Sequence, residues 1–319
     1  MGYTPEEDEA HDLASGWLRE AGLDVEVDAA GNLFGRLPGT DPGRPEVWTG
    51  SHLDSVPRGG RFDGALGVVA GIEAVERIGT RAATLAVVAF RDEERGCAGS
   101  RALEDRPGAY VELHIEQGPR LANAGAPLGV VTSIVGYARG RRVVEGRAGH
   151  AGTTPMDARD DALAKAAQEV LRIHEAARSI DGAVATVGTL EVEPGAANVI
   201  PARVTFTVDA RAPDAERLAR LLDAVGISDS PGVAPVEMSD RPRQALREEL
   251  ERRGLPVVEL ASGAGHDAGV LAAAGVPSAM LFVRSLADGA SHCPEEDSSP
   301  EDLAIAVDVL AGALARLAA

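Results

Sequence analysis

Lysine is almost absent from this chain of 319 residues: Lys165 is the only one, and it lies in the helix-like stretch DDALAKAAQEVLRIH. A phosphate-binding loop needs a lysine beside its glycines, and a pyridoxal enzyme needs one in a pocket, so both classes are excluded. Cysteine is scarce too. Cys97 and Cys293 are too few for a disulfide framework or a thiolate zinc cage, so any metal must be held by histidines and carboxylates. Basic charge is in deficit, with 31 Lys and Arg against 50 Asp and Glu and a formal net charge of −19. A field of that sign repels phosphate backbones and anionic lipid, so neither nucleic acid nor membrane is expected as a partner. No apolar run reaches the roughly 20 residues of a spanning helix, and MGYTPEEDEA is acidic where a signal peptide would be basic. A soluble, cytoplasmic protein with reduced cysteines is expected.

What is present is 45% hydrophobic residues, enough to bury one large core or two smaller ones. Residues 5–21 have helical periodicity, and DVEVDAAGNLFGRLPG alternates like a pair of strands. Residues 46–50 and 84–90 are short apolar runs separated by a helix over 65–78 that is lined with small residues. Two strands buried on both faces around one helix imply a parallel α/β scaffold. Residues 110–114 add a further strand. From Gly136 the pattern changes to strands with alternating faces at 137–149, 183–192 and 199–211, with helices at 157–177 and 214–225, and residues 231–238 close the module. That arrangement suits an open α+β layer. A helix at 243–253, a strand at 277–283 and a helix at 300–317 restore the first style. The expected organisation is therefore an α/β domain over 1–135 and 241–319, with a second domain, 136–240, inserted into it.

The candidate chemistry lies in loops after the apolar strands. His52 and Asp54 follow the first, with Asp63 at the mouth of the next helix, and Asp92, Glu93 and Glu94 follow the second. In an open α/β sheet the carboxyl edge is where ligands bind. A lone histidine in such a loop is more often a core or surface residue. His-x-Asp is different, because the acid can hold the second ring nitrogen and fix the tautomer. His114, in VELHIEQGP, and His292, in DGASHCPEE, bring the set to three imidazoles with several carboxylates. Imidazoles favour zinc or manganese over calcium, and this number of ligands suits two ions sharing one acid.

The segments GSHLDSVPRGGRFDGALGVVAG, RDEERG, ELHIEQGP, GHAGTTPMDARDDAL, ATVGTLEVEPGAANVIP, VDARAP, SGAGHDA and SHCPEE span nearly the whole chain. In this order they resemble the hydantoinase/carbamoylase branch of the zinc-dependent aminoacylase and carboxypeptidase superfamily, which includes allantoate amidohydrolases, N-carbamoyl-L-amino-acid hydrolases and β-ureidopropionases. The resemblance implies two divalent ions, zinc or else manganese: one on His52, Asp63 and His114, the other on Asp63, Glu94 and His292. It implies Glu93 as general base, Asp54 as the partner of His52, and the inserted domain as a lid and dimerisation domain of a homodimer that shares lid residues between subunits. His150 falls on an oxyanion-stabilising position, Asn198 and Arg211 on substrate contacts, and Gln117 and His266 on polar pocket positions. The implied reaction is hydrolysis of the ureido or carbamoyl C–N bond of a small carboxylate substrate, with release of ammonia. An N-acyl amidase or dipeptidase on the same metal core, or a non-catalytic binding homologue, are the rival readings. The sequence also departs from the family, because His114 follows unusually soon after Glu94 and the stretch 225–256 is short.

Overall fold

The computed structural model describes residues 1–319, which divide into two compact units: Met1–Ile134 with Glu237–Ala319, and Val135–Val236. The first unit opens with α1 (Pro5–Glu20), β1 (Asp24–Val27), β2 (Leu33–Leu37), β3 (Val47–His52), α2 (Ala65–Ile78) and β4 (Leu85–Phe90). There follow α3 (Ala98–Arg101), β5 (Ala109–Ile115), α4 (Arg120–Ala124) and β6 (Leu128–Ile134). The second unit holds β7 (Gly136–Glu145), β8 (Gly149–His150), α5 (Ala162–Arg178), β9 (Val184–Glu193), β10 (Val199–Ile200), β11 (Arg203–Ala212), α6 (Ala215–Val225) and β12 (Gly232–Val233). After β13 (Val236–Glu237) the chain adds α7 (Asp240–Arg252), β14 (Glu259–Ser262), α8 (Asp267–Ala273), β15 (Ser278–Val283) and α9 (Pro300–Leu317).

Every residue of β3, β4, β5 and β15 is buried, as their apolar sequences require, and the four run parallel at the centre of a sheet ordered β1-β2-β4-β3-β5-β15-β6-β13. β14 lies parallel to β6, while β1, β2 and β6 join antiparallel to their neighbours. α2, α7 and α9 pack on this sheet and share its core with α1, through residues such as Leu18, Val68, Val75, Leu113, Leu246, Leu281 and Leu310. α2 can lie close because its small residues face the strands. A Cβ on Gly67 would stand 2.4 Å from the Leu113 carbonyl oxygen and 2.7 Å from Ser51 Cβ, so glycine sets that helix-to-sheet distance. The registers pair His52 with Phe90 and His114 with Phe282, which brings the carboxyl ends of β3, β4, β5 and β15 to one edge.

The second unit is a four-stranded antiparallel sheet, β12-β7-β11-β9, covered by α5 and α6. Its core comes from the alternating inward residues Val204, Phe206, Val208 and Ala210 of β11 against Ala166, Ile173, Leu221 and Val225 of the helices. Three details differ from the sequence expectation. The strand read over 199–211 is broken after Ile200, because Pro201 has no N–H for a ladder, and its first piece pairs instead with β8. The helix read from 157 starts at Ala162, where Asp161 caps it by accepting from the Leu163 and Ala164 amides, after a 3-10 turn at Met156–Ala158. The second unit ends at Val236 rather than at 240, since the Met238 amide already bonds to the Thr132 carbonyl of the large sheet. No helix is long and apolar enough to cross a membrane.

Candidate functional site

His52 ends β3 and is 1% exposed. Its Nδ1 lies 3.0 Å from the Asp54 carbonyl oxygen and 3.4 Å from Asp54 Oδ1, so in the neutral ring the proton sits on Nδ1 and the Nε2 lone pair is left to face the site. Nε2 stands 3.7 Å from Asp63 Oδ1 and 3.7 Å from Glu93 Oε2. The turn carrying Asp63 passes beneath this ring. Gly64 there has φ +67°, and a Cβ on it would lie 2.4 Å from His52 Cε1, so both the backbone and the ring demand glycine.

Asp63 joins two groups. His114 Nε2 is 3.1 Å from its Oδ1, and His292 Nε2 is 3.2 Å from its Oδ2 and 3.5 Å from Glu94 Oε2. The ligand atoms of His52, Asp63 and His114 therefore lie within 4.8 Å of one another, as do those of Asp63, Glu94 and His292. The two groups have the same members as the two sets the family resemblance implies, with Asp63 common to both. His114 is oriented as His52 is, its Nδ1 2.9 Å from the Ile115 carbonyl oxygen.

The donor set fits divalent cations. Glu94 Oε1 is buried with no hydrogen-bond partner, and His114 Nε2 faces Asp63 Oδ1 without a well-aligned hydrogen bond, a costly state that a bound cation would relieve. The electrostatics agree. Burial alone would depress the His114 pKa, yet the Asp63 carboxylate overrides it and raises it to about 9. Burial likewise opposes charge on Asp63, and His114, His52 and His292 together hold its carboxyl well below the usual range. This pocket concentrates negative charge and draws positive charge to the ring nitrogens, and metal can take the place of those protons.

Glu93 and Glu94 are aimed by their own backbone. The Glu93 amide donates to Asp54 Oδ1 at 2.9 Å and the Glu94 amide to Asp54 Oδ2 at 3.3 Å. Asp54 thus does two things: its main chain orients His52 and its carboxylate holds the glutamate loop. Burial pushes the Glu93 carboxyl up to about 7, close to the value that suits a general base at neutral pH. Cys97 Sγ lies 3.8 Å from Glu93 Oε1. Both cysteines are free thiols.

Gln117 turns its side chain onto the Asp63 carboxylate, donating from Nε2 to Asp63 Oδ2 at 2.9 Å and to Ser291 Oγ at 3.1 Å. His266 is buried behind His114, ring centroids 4.5 Å apart, with Nε2 2.8 Å from Ser262 Oγ. Glu112, His114 and His266 form a third grouping, but both Glu112 oxygens already accept, from Ser51 Oγ at 2.7 Å and the Ala268 amide at 2.8 Å. That grouping supports His114 from behind. Within the second unit His150 is exposed on β8, and its Nδ1 accepts from the Gly152 amide at 3.0 Å, which places the proton of the neutral ring on Nε2. The register sets Val199 opposite His150, so Asn198 is its neighbour across the small ladder. Arg211 bonds through Nε to Asp209 Oδ1 at 2.8 Å and through a terminal nitrogen to Oδ2 at 3.3 Å.

The second glutamate of SHCPEE has a role that its sequence alone does not announce. Glu296, 2% exposed, accepts from the Phe62 amide at 2.8 Å, the Asp63 amide at 3.0 Å and Ser291 Oγ at 3.1 Å, so one buried carboxylate ties the Asp63 turn to the His292 loop. Its place in one motif with His292 is the available signal.

Residues 48–316 match the profile of the peptidase family M20/M25/M40. An N-carbamoyl-L-amino acid amidohydrolase of Geobacillus stearothermophilus is 40% identical over 373 aligned positions, which cover 97% of this chain and 91% of that protein. The aligned length exceeds the 319 residues here, so the relative carries segments that this chain lacks. An allantoate amidohydrolase of Bacillus subtilis (strain 168) is 33% identical, covering 99% of this chain and 92% of its own length. The crystal structure of an amidase of the hydantoinase/carbamoylase family from Burkholderia multivorans superposes with a TM-score of 0.88 at 33% identity, covering 99% of this chain and 94% of that one.

Proposed function

Because this chain belongs to the peptidase family M20/M25/M40, we propose that it is a metal-dependent amidohydrolase cleaving the ureido or carbamoyl C–N bond of a small carboxylate substrate. The observation that carries this reading is the position of Glu93, its Oε2 3.7 Å from His52 Nε2, beside two ligand groups that share Asp63. His52, Asp63 and His114 hold one divalent ion and Asp63, Glu94 and His292 the other, and the mixed imidazole and carboxylate donors favour zinc, with manganese the next candidate. Bound there, such ions supply Lewis acidity and make a water easier to deprotonate. Glu93 takes the proton from the attacking water and returns it to the departing nitrogen. With an N-carbamoyl amino acid and one water, the products are the amino acid, ammonia and carbon dioxide.

His150 serves as a donor to the developing oxyanion through its Nε2 proton, and Asn198 and Arg211 contact the substrate carboxylate, the guanidinium exchanging part of its bonding to Asp209 for the ligand. Gln117 and His266 act through Asp63 and His114, which they touch. A homodimer sharing its lid residues completes the proposal, and the two free thiols suit a cytoplasmic location. The test is ammonia release by the zinc- or manganese-loaded protein from an N-carbamoyl-L-amino acid, β-ureidopropionate, allantoate and ureidoglycolate, beside hydrolysis of an N-acetyl amino acid and a dipeptide. Turnover of a ureido acid with the acetyl and peptide compounds untouched is the expected outcome. Cleavage of those compounds alone, or of nothing, overturns it.

A further inference from the structure

Three consecutive amides run through the loop that carries the general base and a metal ligand, and two buried carboxylates from distant parts of the chain accept all three. Asp54 accepts from the amides of Glu93 and Glu94. Glu7, on the first turn of α1, accepts from the amide of Asp92 through Oε1 at 3.0 Å. Its other oxygen accepts from the Tyr3 amide and stands 3.1 Å from Arg91 Nε, while Asp8 of the same helix pairs with the Arg91 terminal nitrogen. Glu7 is 2% exposed although it lies on a helix otherwise rich in solvated acids. A buried carboxylate is retained only where donors hold it, and here the two amides that bond to it come from the glutamate loop and from the residues just before α1.

The loop needs holding. Asp92 has φ +54°, in the left-handed region that a residue with a side chain enters only at an energetic cost. The turn it makes points Glu93 toward His52 and Glu94 toward His292. Without Glu7 the Asp92 amide loses its acceptor, and Asp54 alone is left to fix the amides of Glu93 and Glu94, so the loop is held at fewer points.

We propose that Glu7 is a positioning residue for Glu93 and Glu94, acting through the backbone of Asp92 and the guanidinium of Arg91. The proposal rests on the amidohydrolase reading for its kinetic consequence and stands apart from it for its structural one. In Glu7→Leu, the metal-loaded enzyme loses kcat about 10- to 100-fold with KM near wild type, since a displacement of about 1 Å at the reacting groups costs on that order. Glu7→Gln keeps an oxygen for the Asp92 amide and restores most of the loss. In the metal-free protein, hydrogen exchange at the amides of residues 92–94 speeds up in Glu7→Leu and the amides of β5 stay protected. If Glu7→Leu does not fold, Glu7→Asp, which keeps the charge and withdraws it by one methylene, must show the same accelerated exchange and lowered kcat. Wild-type kcat together with wild-type exchange at 92–94 overturns the proposal, as does a uniform rise in exchange across the sheet with kcat unchanged. Should the wild-type protein release no ammonia, the function reading fails while the exchange result still decides the role of Glu7.

Discussion

Replacing Asp54 by asparagine keeps the size of a 2% exposed side chain and removes one of its two acceptor oxygens. In the native chain Oδ1 receives the Glu93 amide and Oδ2 the Glu94 amide. Burial works against the Asp54 charge, but His52 and those two amides more than compensate and keep its pKa below the ordinary value. In Asp54→Asn the side-chain NH2 must face one of the amide donors, whichever way the group is turned. A buried donor left without an acceptor costs about 1–3 kcal/mol, so the metal-free protein loses stability on that order. The carboxylate also stands 3.4 Å from His52 Nδ1, and loss of such support around a ligand costs about 10- to 100-fold in metal affinity. Chelator competition on the metal-free protein measures the affinity, and urea unfolding with and without metal separates the two losses. Affinity and stability indistinguishable from wild type would refute the role given to this carboxylate.

His11 is 7% exposed, and burial first, then the Arg91 charge, lowers its pKa to about 4 from an ordinary value of 6.5. The unfolded chain therefore binds a proton that the folded chain refuses between those two values, and stability falls as pH drops from about 6.5 toward 4, by about 3 kcal/mol over the whole window. Urea unfolding at pH 7 and pH 5 should show wild type losing about 2 kcal/mol more than His11→Gln, and equal losses would contradict it. Gly64→Ala puts a methyl against the His52 ring and a side chain at φ +67°, so isothermal titration of the metal-free variant should show the His52 ion weakened or gone, and full stoichiometry at native affinity would argue against it. Arg211→Lys keeps the charge and loses the paired bonds of the guanidinium, so KM for the ureido acid should rise about 10- to 100-fold, and an unchanged KM would reject Arg211 as a carboxylate contact.

Strand periodicity made the ends of β3, β4, β5 and β15 legible, and with them the loops whose histidines and carboxylates meet at one edge. The grouping of His52, Asp63, Glu94, His114 and His292 into two sets comes from the family resemblance of the segments around them. The supporting carboxylates were not legible in the same way. Glu7 lies 85 positions before Asp92 and looks like any acid in the first turn of a helix, where it would ordinarily favour the helix dipole from solvent. Glu112 sits in an apolar strand and finds Ser51 only through the β3 and β5 pairing. Among the elements, β6 and β14 escaped notice because their partners lie far along the chain, and the short α8 contains a glycine that weakens helical periodicity. Pro201 was visible, and the strand was read through it because the alternation resumes at Arg203. Tertiary pairing, rather than local pattern, decides each of these.

Adjacent glutamates divide the labour in the proposed reaction, and Glu93→Gln separates their roles. The amide keeps the volume of the side chain and cannot accept the proton of the attacking water. Metal content by mass spectrometry, substrate binding by calorimetry and ammonia release should be measured on one preparation. Glu93→Gln should keep native metal content and native substrate affinity with turnover reduced about 100- to 10,000-fold, the range that general acid and base catalysis supplies. Native turnover in Glu93→Gln, or turnover lost only because the metal is lost with it, would contradict this division of roles.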